Sequence, residues 1–170
     1  DCGMSPDLSD AIVDRAMFHI DNCYYLASVT VRGYRVKTNK VSNTAFRGFG
    51  GPQGILAIEN VIEEIASATG LDPLVVRQRN FYRPSDNRDT THYGQRIEQH
   101  IIQPLVARLI INSEYHKRKN EIHQFNKTST VLKRGIAITP VKFGISFTVT
   151  HLNQAGALLH IYTDGSVQLN

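Results

Sequence analysis

The run Ser42-Asn43-Thr44-Ala45-Phe46-Arg47-Gly48-Phe49-Gly50-Gly51-Pro52-Gln53-Gly54 constrains this chain more than any other stretch. Glycines ahead of a helix let backbone N–H groups approach an anion at the helix N-terminus. Pro52 suits a first helical turn, where its missing N–H would have no partner anyway. The helix it opens is expected to run to about Thr69 and to stop at Gly70. Ile55, Ile58, Ile62 and Ile65 would line its buried face, with Glu59 and Glu63 turned away. The glycine spacing fits neither a dinucleotide fingerprint nor a phosphate loop ending in Lys-Ser. Taken locally, two readings stay open. Arg47 is an anion clamp or substrate handle, or Phe46 and Phe49 are core and Arg47 is a surface cation.

The rest of the chain reads as mixed α and β. A short helix is expected over Asp10–Phe18, and Ala27–Lys37 alternates as a strand with a bulge at Gly33. Asp72 and Pro73 restart a helix as N-cap and first residue, with Leu74 and Val75 inward and Arg77 and Gln78 outward. Residues 83–95 are nearly free of apolar side chains and read as a surface loop or junction. Two helices follow. One spans about Gln99–Asn112 and buries Ile101, Leu105, Leu109 and Ile110. The other is capped by Ser113 and turns Tyr115, Ile122 and Phe125 inward. Residues 135–141 and 144–149 read as strands. Ala155–Tyr162, Asp164-Gly165 and Ser166–Asn170 read as a β-hairpin, since Asp-Gly supplies the positive φ of a tight turn. The fold class is therefore α/β (α+β mixed), with helices in the middle and strands at both ends.

Composition narrows the function classes. The net charge of +4 is spread along 170 residues. Its densest cluster, His116-Lys117-Arg118-Lys119, sits among Glu114 and Glu121 without a basic and aromatic stripe, so no nucleic-acid partner is expected. No apolar run approaches a membrane span and no signal segment is present, so no membrane partner is expected and the default location is cytoplasmic. Cys2 and Cys23 have no metal-ligand spacing, and Cys23 reads as a buried free thiol. The chain starts at Asp1 without an initiator methionine and stops at Asn170 after a strand-like run, so it is expected to be an internal piece of something larger.

Three blocks carry a family resemblance. The first is Asp14-Arg15-Ala16-Met17-Phe18-His19-Ile20-Asp21-Asn22-Cys23-Tyr24. The second is Lys37-Thr38-Asn39 with Ser42 through Gln53. The third is Phe143-Gly144-Ile145-Ser146-Phe147-Thr148-Val149 with Leu152-Asn153-Gln154-Ala155-Gly156-Ala157. Together they resemble the molybdenum hydroxylases of the xanthine dehydrogenase and aldehyde oxidase family, in order and over essentially the whole chain.

The resemblance implies a piece of a molybdopterin-binding catalytic subunit. Residues 1–82 would end a first molybdopterin-binding sub-domain, 83–99 would form a junction loop, and 100–170 would start a second. The Phe-Arg-Gly-Phe loop would lie beside the Mo-molybdopterin. Arg47 resembles the residue whose backbone N–H meets the pterin or the molybdenum's oxygen ligand, and Ala45 a small residue near the metal. Phe46 and Gly48 share that loop. Phe49 resembles the aromatic facing a flat substrate ring and Phe147 the one meeting it edge-on, an arrangement that suits a planar purine. Thr148 resembles a hydroxyl that hydrogen-bonds the substrate. Arg15 resembles the cation that holds a purine carbonyl and stabilises developing charge. Taken singly, Arg15 would be a surface cation and Phe147 and Thr148 ordinary strand residues; His19 and His151 read as structural or surface residues. Thr150-His151 stands where some members carry Pro-Phe, so the pocket rim differs.

The family's general-base glutamate has no counterpart here, nor do its 2Fe-2S cysteines or flavin segment. No catalytic residue is therefore expected in this stretch alone. The implied parent hydroxylates hypoxanthine and xanthine with oxygen from water and passes electrons through 2Fe-2S centres and FAD to NAD. Its expected partners are the purine, the remaining segments or subunits of the enzyme, and a second copy in a homo-oligomer. An aldehyde oxidase or other azaheterocycle hydroxylase is the alternative within the family, and a non-catalytic anion-binding module the alternative outside it.

Overall fold

The computed structural model of the chain describes residues 4–41, 45–147 and 150–170. Those residues form α1 (Ser9–Phe18), α2 (Gly51–Thr69), α3 (Pro73–Asn80), α4 (Ile102–Asn112), α5 (Tyr115–Thr128) and a hairpin of β1 (Leu159–Ile161) and β2 (Val167–Leu169). The expected mixed α and β class is what the chain adopts. Residues 83–98 form an irregular stretch with one 3-10 turn, Ser85–Asn87.

The helix ends follow local chemistry. Gly70 closes α2 in the left-handed conformation at φ 67°, and its N–H returns to the Ala66 and Ser67 carbonyls. The Asp72 side chain accepts the Leu74 N–H at 2.8 Å, capping α3. Glu114, not Ser113, precedes α5, in a left-handed conformation with no side-chain cap, while Ser113 Oγ donates back to the Leu109 carbonyl. The buried stripe of α2 is Gly51, Gly54, Ile58, Ile62 and Ala66, which leaves Ile65 exposed. In α4 the inward row is Ile102, Val106 and Ile110, whereas Ile101, Leu105 and Leu109 face out. Both corrections have one cause: each helix carries two adjacent apolar rows, and only one meets the core.

That core joins Cys23, Tyr24, Ile58, Ile62, Ala66, Leu74, Val76 and Phe81 to Val106, Tyr115 and Ile138. Two charged groups thought to point outward sit at its edge instead. Arg77 is buried, and Glu59 accepts hydrogen bonds from Asn22, Tyr24 and Arg77.

Residues 27–37 and 135–147 are not strands. They carry the alternation but find no ladder partner among the described residues, and Tyr34 and Val36 stay exposed. A period of two fixes which side chains share a face, and only a neighbouring strand supplies the hydrogen bonds. Residues 135–141 instead thread Ile136 and Ile138 into the core as extended chain. The sheet of the described residues is thus a single two-stranded antiparallel one, pairing Leu159 with Leu169, His160 with Gln168 and Ile161 with Val167. Gly165 (φ 84°) makes its turn.

Candidate functional site

The Phe46–Gly51 loop is a pair of overlapping turns. The Phe49 N–H donates to the Phe46 carbonyl (2.8 Å) and the Gly51 N–H to the Gly48 carbonyl (3.0 Å). Gly48, Phe49 and Gly50 take φ values of 94°, 52° and 99° in succession. For Phe49 this left-handed conformation costs about 1–2 kcal/mol, so the surroundings must hold it there. Gly50 is one such constraint: besides its positive φ, any Cβ there would collide with the Ile12 carbonyl oxygen of α1. One turn further on, Gly54 lies against the Ala16 carbonyl in the same way. The crossing of α1 over the start of α2 is therefore backbone on backbone, and it brings Arg15 and His19 beside the loop.

The segment 143–147 closes the other side. Phe143 packs on Gly51 where a side chain would otherwise stand. The Arg15 guanidinium lies 5.0 Å from the Phe143 ring centre, and the His19 ring is 4.7 Å from it. Arg15, only 5% exposed, donates from Nη1 to the Ser146 carbonyl at 2.6 Å and from Nη2 to the Gly144 carbonyl. Its Nε–H is a buried donor without a partner among the described residues. The Gly144 N–H donates to His19 Nε2 at 3.0 Å, so the ring proton is on Nδ1, which donates to the Arg15 carbonyl at 2.8 Å. Burial lowers the His19 pKa first of all; the Arg15 carbonyl acts the other way, the Arg15 and Lys142 charges lower it further and Asp21 raises it. Phe147 is held by Asn153, whose Oδ1 accepts the Phe147 N–H (2.6 Å) and whose Nδ2 donates to its carbonyl (2.8 Å). The Phe49 and Phe147 rings then meet with centres 5.3 Å apart and planes at 43°.

A buried polar cluster braces the junction from below. Asp21, fully buried, accepts from the Tyr82 hydroxyl at 2.6 Å and pairs with Lys142 Nζ at 2.9 Å. Asn22 donates to the Pro140 carbonyl (3.0 Å) and accepts the Lys142 N–H (3.0 Å). The segment after α1 is thereby stitched to the segment that leads into Phe143.

The structure thus gathers Arg15, Phe49 and Phe147, which are far apart in sequence, into one place. Ala45, Phe46 and Arg47 are exposed on the loop beside it, with Gly48 partly covered. Phe46, at 76% exposure, is not a core residue, which corrects that part of the second local reading, while Arg47 is exposed as that reading has it. Thr148 lies outside the described residues, as do Cys2 and Ser42–Thr44. His151 is exposed in the 3-10 turn Thr150–Leu152, whereas His19 is buried. The sequence reading missed the work of His19 and Asn153. A signal existed for His19, which stands four residues after Arg15 on the same helical face. None existed for Asn153, whose contact is with a backbone six residues away.

Comparison with known proteins gives the family of the chain. Residues 1–81 and 108–170 each match the molybdopterin cofactor-binding domain family. The chain is 50% identical over 168 residues to a xanthine dehydrogenase of Drosophila subobscura, covering 99% of this chain and 12% of that protein. It is 48% identical over 167 residues to a xanthine dehydrogenase/oxidase of Felis catus, covering 98% of this chain and again 12% of the relative. An aldehyde oxidoreductase from Desulfovibrio desulfuricans superposes with a TM-score of 0.64 at 28% identity, over 77% of this chain and 14% of that one. The chain therefore spans about an eighth of the length of the curated relatives it matches. Both matched stretches carry one half of the assembly described above, Arg15 and Phe49 in the first and Phe147 in the second, and the chain belongs to the molybdopterin cofactor-binding domain family.

Proposed function

We propose that this chain forms part of the molybdopterin-bearing catalytic subunit of a xanthine dehydrogenase that hydroxylates hypoxanthine and xanthine. The observation that carries the reading is the junction of Arg15, Phe49 and Phe147. A cation bonded to the Gly144 and Ser146 carbonyls, its Nε–H without a partner among the described residues, lies on the segment that carries Phe147 against Phe49, which suits a flat heterocycle bearing a carbonyl. In this reading Arg15 orients the purine through its carbonyl and stabilises charge that builds there, Phe49 and Phe147 hold the ring plane, and Thr148 donates a further hydrogen bond. Within it, residues 1–82 end a first sub-domain, 83–99 are a junction, and 100–170 begin a second.

The loop fits a molybdopterin. Residues 45–48 offer exposed backbone and an exposed ring beside a glycine turn, and no ligating side chain. That suits an anionic group that brings its own metal ligands, which Ala45, Phe46, Arg47 and Gly48 would hold, Arg47 through its backbone N–H. When bound, the cofactor supplies the two-electron oxidation and the transfer of oxygen derived from water. The 2Fe-2S centres, FAD and the site for NAD belong to other parts of the enzyme, which we take to be a cytoplasmic homo-oligomer.

A second reading is oxidation of aldehydes, favoured by the likeness to aldehyde oxidoreductases. Arg15→Ala in the full polypeptide separates the two. An aldehyde offers no second carbonyl for the guanidinium, so purine kcat/KM should fall by about a hundredfold or more while turnover of an aromatic aldehyde persists. Unchanged purine turnover with lost aldehyde turnover would reject the purine reading.

A further inference from the structure

The segment carrying Phe147 has no strand partner among the described residues, yet side chains pin it at two points. At Gly144, α1 and the residue that caps it supply two opposed contacts: Arg15 donates to the carbonyl and His19 accepts the N–H at 3.0 Å. Three residues on, the Asn153 amide accepts the Phe147 N–H and donates to the Phe147 carbonyl, at 2.6 and 2.8 Å. Each pair reproduces what a neighbouring strand would offer one residue: a donor and an acceptor together. Between these points Ser146 gives its carbonyl to Arg15 at 2.6 Å. The pinned segment is what sets the Phe147 ring 5.3 Å from Phe49.

We propose that His19 and Asn153 are positioning residues that act as a substitute strand, fixing the backbone of 143–147 so that Phe147 and Arg15 face one ligand. Neither touches that ligand in this scheme. His19 must be neutral to accept the Gly144 N–H, and the groups facing it are Arg15, Lys142 and Asp21. Asn153 works at any ordinary pH, being an amide. The two contacts are independent of each other, one from the buried C-cap of α1 and one from an exposed loop. The proposal rests on the purine reading for its consequence in turnover and on geometry alone for its consequence in dynamics.

The test uses the full polypeptide and has two arms. The first is amide-resolved hydrogen exchange without substrate. His19→Ala should speed exchange at Gly144, and Asn153→Ala at Phe147, each by about tenfold or more, with α3 amides unchanged. His19→Gln, which keeps an acceptor on a side chain of similar reach, should restore part of the Gly144 protection. The second arm is purine turnover, where both alanine variants should raise KM by about tenfold with kcat within about threefold, because they loosen a binding wall rather than the chemistry. Asn153 is exposed, so its variant stays informative even if His19→Ala fails to fold. Unchanged exchange at Gly144 and Phe147 overturns the proposal whatever the kinetics. Faster exchange with unchanged purine KM also overturns it, since the contacts would then be structural only. A wild-type protein that turns over no purine rejects the functional reading separately, because the exchange arm contains no substrate.

Discussion

The Arg77 guanidinium, 2% exposed, donates to one carboxylate oxygen of Glu59 from both Nε (2.9 Å) and Nη2 (2.7 Å). The other Glu59 oxygen takes Asn22 Nδ2 at 2.9 Å and the Tyr24 hydroxyl, so one carboxylate ties α2 to α3 and to the segment after α1. Burial by itself would lower the Arg77 pKa, but Glu63 and Glu59 outweigh it and hold the guanidinium above its ordinary value. Arg77→Met should therefore destabilise this region by about 1–3 kcal/mol, because it leaves the largely covered Glu59 carboxylate without its cation. The double variant Arg77→Met with Glu59→Gln removes the stranded charge while keeping an acceptor for Asn22 and Tyr24, and should recover part of that loss. Hydrogen exchange of α2 and α3 amides measures both, and a single variant as protected as wild type would show that the pair contributes little.

This pair also shows where the sequence stops being readable. Asp72-Pro73, Gly70 and Asp164-Gly165 announce their turns because capping is local chemistry. Arg77 and Glu59 do not announce burial, since helical periodicity sorts positions by polarity and a mutually satisfied pair breaks that sorting. Ile65 and Leu105 fail for a related reason: two apolar rows on one helix leave the choice of face to tertiary packing. The site was legible as three blocks of residue types, Arg15, the Phe46–Gly51 loop and Phe147. The bonds that join the blocks, His19 to Gly144 and Asn22 to Pro140, run from side chain to distant backbone, and no period records them.

Cys23 gives a pH test. Its thiol is fully buried and donates to the Pro140 carbonyl at 3.6 Å. Burial, then the Glu59 carboxylate, pushes its pKa up to about 12. An unfolded thiol ionises near 8.5. The folded state thus binds the proton more tightly, and the stability this confers is complete below about pH 8.5 and is lost as pH rises from there toward the folded value. At pH 8 iodoacetamide should leave Cys23 unmodified in the native protein and alkylate it on adding denaturant, as read by peptide mapping. Rapid native labelling would contradict the burial.

Gly54 tests the helix crossing on which the site stands. It lies inside α2, where alanine is normally preferred by about 0.8–1 kcal/mol. Here, however, a Cβ would press on the Ala16 carbonyl oxygen of α1, a backbone atom that cannot turn aside. Overpacking of that kind costs about 1–3 kcal/mol and outweighs the gain in propensity. Gly54→Ala should therefore loosen α1, seen as faster exchange of the α1 amides, and on the purine reading should raise the purine KM by shifting Arg15 away from the Gly144 and Ser146 carbonyls. Asn60→Ala, at an exposed position of the same helix, is the control: it changes propensity without meeting α1 and should leave exchange and KM as they are. If Gly54→Ala proved as stable as Asn60→Ala, with α1 equally protected, the two helices would not be in backbone contact, and the placement of Arg15 beside the loop would lose its physical basis.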